Sequence, residues 1–263
     1  MPKTLTSDPS ISEIRRHVRV RIGLACAAAE DMQLSAKNAS LRESRAEPSE
    51  IIHEIDVFRE LPLGFGRKLF ACIIFVDLRD SSKRAFTVGE RETYLTMHAL
   101  LHGLSFVVKQ FGGIIVGFRG DGLFAAFGMN ERGETVPPNE LGSAVRDAVR
   151  CGKAMIEAVD HAVEPELAEF GVTGNLRIGV GIDANNLVVT NIGLFTANEI
   201  TAYGNPVNKS AKLADVTYGK VMITNGAWKL VPKSKDGRWS AKAYLHEKDA
   251  LHVHFPSDYS VLT

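Results

Sequence analysis

Two aspartates lie where apolar strands end. The run Cys72-Ile73-Ile74-Phe75-Val76-Asp77-Leu78-Arg79-Asp80 closes a buried-looking stretch on a carboxylate. Further on, Gly112-Gly113-Ile114-Ile115-Val116-Gly117-Phe118-Arg119-Gly120-Asp121-Gly122 sets a second carboxylate in a tight turn between two apolar segments. Acids presented from strand ends in this way can share divalent cations, and cations so held assist phosphoryl transfer. Each acid alone is weak: Asp-Gly is a common hairpin turn, and Asp77 could equally cap a helix or end a solvated strand. The pair gains meaning only with what surrounds and follows it.

Alternating strands and helices must position these acids. Residues 69–78 form a continuous apolar run rich in Ile, Phe and Val, the pattern of a buried strand. Thr87 and Glu90 fit a capping box opening a long helix that closes at Gly112-Gly113. Residues 114–118 and 123–127 read as a hairpin turning at Asp121-Gly122. A helix is expected over about 140–163. A second hairpin is expected from 176–182 and 187–192, turning at Asn185-Asn186. A last helix spans about 206–216, with Asn205 as N-cap and Pro206 at its first position. The order βαββαβ is ferredoxin-like, an α+β fold with an antiparallel sheet and helices on one face.

Residues 1–62 differ in character and read as a helical N-terminal extension to a domain over 63–263. Residues 1–9 look disordered. A helix from 11 to about 47 breaks near Asn38, and a short helix over 51–61 stops at Pro62. The apolar stretch from Ile22 follows Arg15, Arg16, Arg19 and Arg21, and it is too short to span a bilayer, so it reads as packing surface rather than a signal or anchor.

Composition narrows the class. The chain has 263 residues, 45% hydrophobic and 24% charged, enough for one well-buried domain and an extension. Basic and acidic residues balance at 31 each, so no net charge draws it to nucleic acid or an anionic membrane. Cys26, Cys72 and Cys151 suit neither a disulfide framework nor a metal site, which fits a reducing cytoplasm. The histidines show no metal-ligand spacing, and Trp228 and Trp239 read as core or interface anchors.

Five segments in order make the chain resemble the class III nucleotidyl cyclase catalytic domain. They are Ile74 to Arg79, Gly112-Gly113 through Gly128, Arg177-Ile178-Gly179-Val180-Gly181-Ile182, Val188 to Gly193, and Tyr203-Gly204-Asn205-Pro206-Val207-Asn208-Lys209-Ser210-Ala211-Lys212-Leu213. The resemblance covers about residues 68–225. It implies that Asp77, the Leu78 backbone and Asp121 bind two Mg²⁺ or Mn²⁺ ions, one activating the ribose 3′-hydroxyl and one holding the triphosphate. Backbone amides of Arg79, Asp80, Ser81 and Ser82 would cradle phosphate oxygens. Asn208 matches a ribose-orienting Asn. Lys212 stands where the family usually has an Arg, keeping the charge but losing the two-pronged geometry. Because the family draws the acids and the Asn/basic pair from opposite subunits, a head-to-tail homodimer with two composite sites is implied.

The base is read from what is missing. Purine-specific members usually carry Lys or Glu four residues before the second acid; here that position is Gly117. The second specificity position is Thr201. Residues 117, 119 and 121 share one strand face, so Arg119 points into the space that Gly117 leaves. It could donate to O2 or O4 of a small base, or simply face solvent or phosphate. The chain is thus similar to the Pycsar pyrimidine cyclases of bacterial phage defence, which make cyclic UMP or cyclic CMP for a separate effector. An adenylate cyclase, and a degenerate module that binds nucleotide without turnover, are the competing readings. Gly117, Asn205 and Lys212 all depart from the family pattern and keep the latter alive, but both acids and Asn208 survive. A diguanylate cyclase would need an acidic signature in the central hairpin that Gly120-Asp121-Gly122-Leu123 lacks.

Overall fold

The computed structural model describes residues 9–34, 51–232, 239–243, 249–257 and 260–262. The expectations for residues 1–8 and for the helix beyond residue 34, with its break near Asn38, lie outside the described residues. Helix α1 (Ile11–Leu34) places Ile14, Val18, Ile22 and Ala25 on one stripe, and all four are buried. Its Arg15 and Arg19 donate to the two oxygens of the buried Glu166 at 2.7 and 2.6 Å. In the stretch from Ile22, Ile22 and Ala25 are thus packing surface, while Leu24 is exposed.

Over 51–61 the single short helix expected is instead a 3₁₀ turn (Ile52–Glu54) and α2 (Asp56–Arg59), separated by the extended backbone of Ile55. Strand β1 (Gly66–Leu78) is buried on both faces, which is why its sequence is apolar without alternation. Cys72, Ile74, Val76 and Leu78 enter the main core with α1, α4 (Glu90–Gln110) and α5 (Leu141–Ala158). Leu69, Ala71 and Ile73 face a second core that holds Ile52, Ile55 and Phe58.

A short helix not foreseen, α3 (Ser81–Thr87), follows β1, and it explains why the Thr87–Glu90 capping box does not form. Thr87 ends α3, its hydroxyl donating to the Arg84 carbonyl at 2.9 Å, and α4 starts after Gly89. Strands β2 (Ile114–Arg119) and β3 (Gly122–Phe127) form the expected hairpin, with Gly120 and Asp121 as the turn and Gly122 already in β3. Helix α5 runs through a π turn (Val159–Val163) into α6 (Glu164–Glu169).

The largest correction concerns Asn185-Asn186. No turn occurs there: β4 (Ile178–Leu194) is one strand that pairs with β1 without interruption from Leu78↔Ile178 to Gly66↔Thr190. A local turn signal yields here to a long partner strand whose backbone groups all need bonds. The hairpin lies later, between β4 and β5 (Ala197–Tyr203). Helix α7 (Asn205–Val216) begins with Asn205 inside it; the capping position belongs to Gly204.

β6 (Lys220–Thr224), α8 (Asn225–Trp228), β7 (Ser240–Ala243) and β8 (Ala250–His254) complete the described chain. The sheet order is β2-β3-β1-β4-β6-β8-β7, with β5 paired to β4, and among the described strand pairs only β4–β6 is parallel. Trp228 and Trp239 pack, partly buried, against the main core. No helix among the described residues is long and apolar enough to cross a membrane.

Candidate active site

The two acids meet because β1 and β3 are neighbours. Pairing of Val76 with Leu123 sets Asp77 across from Gly122 and beside Asp121. A Cβ at Gly122 would stand 2.3 Å from the Val76 carbonyl, so the residue after Asp121 can carry no side chain while the strands stay this close. The Asp77 carboxyl is pushed up to about 6, first by burial and then by the charges of Asp121 and Asp215, against which Arg79 pulls the other way. Asp121 Oδ2 is buried with no hydrogen-bond partner. A buried carboxylate oxygen without a donor is costly unless a cation answers it. The two acids therefore suit divalent ions. Among the described residues no three His, Cys, Asp or Glu side chains gather to hold one, and two carboxylates with backbone, water and phosphate oxygens are a usual set for Mg²⁺.

After Asp77 the chain turns sharply. Asp80 takes a left-handed backbone (φ 57°), the sole non-glycine to do so among the described residues. The amide of Arg79 donates to the Arg177 carbonyl at 2.7 Å and is thus already spent within the chain. The Arg79 guanidinium donates to the Ala214 carbonyl and lies 3.2 Å from Asp215, gripping the end of α7. Leu78, Ser81 and Ser82 line a cavity of about 300 Å³ with Gly120, Asp121 and Arg84. Arg84 was not singled out from sequence; its Nε is buried without a partner.

Helix α7 lies close on the sheet because two glycines admit it. A Cβ at Gly179 would stand 2.0 Å from the Ala214 carbonyl, and one at Gly181 would be equally close to that of Ser210. Ser210 and Ala214 are buried, whereas Asn208 and Lys212, one turn apart, face outward and are exposed. Neither makes a hydrogen bond or ion pair with Asp77 or Asp121 within the single chain. The structure brings the two acids together and leaves Asn208 and Lys212 on an open surface.

A second cluster forms where β2 meets β5. Arg119 donates to Glu199 Oε1 at 2.8 Å and to Thr201 Oγ1 at 2.6 Å, and it stacks over the Phe124 ring at 5.4 Å. A Cβ at Gly117 would lie 3.7 Å from Arg119 Nη1, so the guanidinium occupies the margin of the space that Gly117 leaves. The β-bulge of β2 falls between Ile115 and Gly117, before the alternation that aligns 117 with 119. Glu199 was missed because β5 was missed; the β-branched and aromatic residues Ile200, Thr201 and Tyr203 just after it were the available strand signal.

No family model matches the chain. It is 24% identical over 186 residues to a uridylate cyclase from Rhodovulum sp. (strain MB263), covering 68% of this chain and 72% of that protein. It is 27% identical over 168 residues to a cytidylate cyclase from Escherichia coli, covering 61% of this chain but 36% of that longer protein. Among solved structures, the adenylyl cyclase CyaB from P. aeruginosa superposes with a TM-score of 0.60 at 19% identity, over 74% of this chain and 97% of that one. The fold is that of a class III nucleotidyl cyclase domain.

Proposed function

We propose that the protein is a nucleotidyl cyclase that converts a pyrimidine nucleoside triphosphate, UTP or CTP, to the 3′,5′-cyclic monophosphate and pyrophosphate. The observation that carries this reading is the Asp77–Asp121 pair, with its proton-hungry Asp77 and the partnerless buried oxygen of Asp121. Residues 63–263 form the catalytic unit and 1–62 its N-terminal extension, of which the buried stripe Ile14, Val18, Ile22 and Ala25 of α1 joins the main core.

Asp77, the Leu78 backbone and Asp121 hold two divalent cations, Mg²⁺ or Mn²⁺. When bound, these supply charge neutralisation and a more acidic ribose hydroxyl. The chain's own residues do the positioning. Ser81 and Ser82 border the cavity beside Asp121, and with Asp80, whose left-handed backbone starts the turn after β1, they receive the phosphates. The 3′-hydroxyl gives up its proton to solvent, and its oxygen bonds to the α-phosphorus in line as the bond to the bridging oxygen breaks and pyrophosphate leaves. Asn208 orients the ribose, and Lys212 offsets charge that builds on the phosphoryl oxygens.

In one copy Asn208 and Lys212 have no contact with the acids, so a second copy supplies them, in a homodimer with two composite sites. The exposed tip of the β4–β5 hairpin, Leu194 and Phe195, gives that partner an apolar hold. Arg119, set beside Gly117, narrows the base site and favours a pyrimidine. Similarity to uridylate and cytidylate cyclases supports the same choice. On this reading the product is a cytoplasmic second messenger in bacterial anti-phage defence, read by a separate effector.

The test is incubation of purified protein with each nucleoside triphosphate and Mn²⁺, with products identified by mass spectrometry. Cyclic UMP or cyclic CMP is expected. Cyclic AMP as main product would overturn the pyrimidine choice, and nucleotide binding without pyrophosphate release would make the protein a binding module.

A further inference from the structure

We infer that Glu199, held in a pair with Arg119, reads the Watson–Crick edge of the substrate base. This deepens the cyclase reading and rests on it. The two positions that the family resemblance marks for base recognition present nothing to a ligand here. Gly117 has no side chain, and Thr201 is fully buried with the Arg119 guanidinium bonded to its hydroxyl. What the same strands do present lies two residues away on each, on the same faces: Arg119 on β2 and Glu199 on β5, with side chains 41% and 51% exposed.

The pair offers a donor next to an acceptor. Glu199 spends Oε1 on Arg119, and its exposed carboxylate retains capacity to accept a further hydrogen bond. Arg119 spends Nη1 on Glu199 and the Phe118 carbonyl and Nη2 on Thr201, and a guanidinium has five N–H groups in all. Uracil places N3–H beside a carbonyl oxygen, and cytosine places its amino group beside N3. In both, an N–H adjoins an acceptor, which is the complement of Glu199 and Arg119. Adenine and guanine also carry such edges, so hydrogen bonding alone would admit them. Selection against purines comes from reach: the readers are large side chains in place of Gly117, braced by Thr201 and the Phe124 ring, and they leave less depth for a second ring.

The experiment compares wild type with Glu199→Gln and Arg119→Ala in the full chain, measuring kcat/KM and equilibrium binding for UTP, CTP, ATP and GTP. Gln keeps an oxygen for Arg119, so it preserves the strand contact while removing the charge. Glu199→Gln should lower kcat/KM for the preferred pyrimidine by about ten- to a hundredfold, mainly through KM, the loss expected for a hydrogen bond to a charged group. ATP should change by less than about threefold, since it gains little from that carboxylate. Arg119→Ala should bring the pyrimidine-to-purine ratio toward one. An equal loss for all four nucleotides would show that the pair only braces the strands, and an unchanged pyrimidine value would remove Glu199 from recognition. If wild type binds nucleotides but cyclises none, the cyclase reading fails, and the same comparison of binding constants still decides whether Glu199 reads the base. If it binds none of the four, both fall.

Discussion

Arg79 stands 3.6 Å from the Asp77 carboxylate on one side and 3.2 Å from Asp215 on the other. It ties the strand end that bears the first acid to the last turn of α7, and its charge tempers without reversing the upward push on Asp77. Two adjacent carboxylates are thus kept partly buried at a place where, without a cation, charge repulsion works against the fold. Such local cost is typical of sites shaped for binding rather than stability.

The pH dependence of the metal-free protein should show this. Asp77 titrates near 6 when folded, against 3.8 as the reference. Between these values the folded state holds more protons than the unfolded chain, so this group makes stability fall as pH rises through the window. Asp77→Asn should therefore stabilise the protein at pH 7, and the advantage over wild type should shrink as pH falls from 6 toward 4. His102 and His252, both pushed down to about 4 chiefly by burial, act oppositely. They leave the folded state short of protons below 6.5 and make it more acid-labile in both proteins alike. Urea midpoints at a series of pH values, in the presence of a chelator, give the comparison; an advantage that grew toward pH 4 would contradict the assignment.

Composite sites make a complementation prediction. Asp121→Asn and Lys212→Ala should each abolish most turnover, by roughly a thousandfold for the acid, which no other group replaces. Mixed in equal amounts and allowed to exchange, half of the dimers would be mixed, each with one intact site. Activity should return to about a quarter of wild type. Two variants that remain inactive together, despite proven exchange, would place all the chemistry within one chain.

Phe195 is 94% exposed and Leu194 70% exposed at the β4–β5 tip. Phe195→Asp should shift sedimentation from dimer to monomer and cut activity in parallel, while the monomer stays folded because the side chain is almost fully exposed in its own chain. Loss of activity in a protein that stays dimeric would assign the tip to another role.

Helix α1 belongs to the main core by its packing. Ile22 is fully buried, so Ile22→Ala should cost about 3 kcal/mol in denaturant unfolding, the usual range for emptying such a position. A cost near zero would mean that α1 is held loosely.

The reading of Asp77 and Asp121 needed only the sequence, because strand-end acids and the turn around them are set by neighbours in the chain. Strand β1 was legible for the same reason: its unbroken apolar run can only be buried on both faces. The elements misread were those that distant parts of the chain decide. Asn185-Asn186 carries a good local turn signal, but thirteen residues of β1 lie alongside and their register runs straight through it. Thr87 has a capping residue's chemistry but ends one helix instead of starting the next. With β5 hidden by the misplaced hairpin, Glu199 could not be seen, although Arg119 could. Sequence alone thus determined that Asp77 and Asp121 stand at strand ends, and the order of most elements around them. Only the tertiary structure decided that Arg119 has a carboxylate partner, that Thr201 lies buried beside it, and that Asn208 and Lys212 are exposed and bond neither acid of their own chain. Each of these depends on strands and helices far apart in sequence packing side by side, and hydrophobic periodicity records which face is buried but not which neighbour covers it.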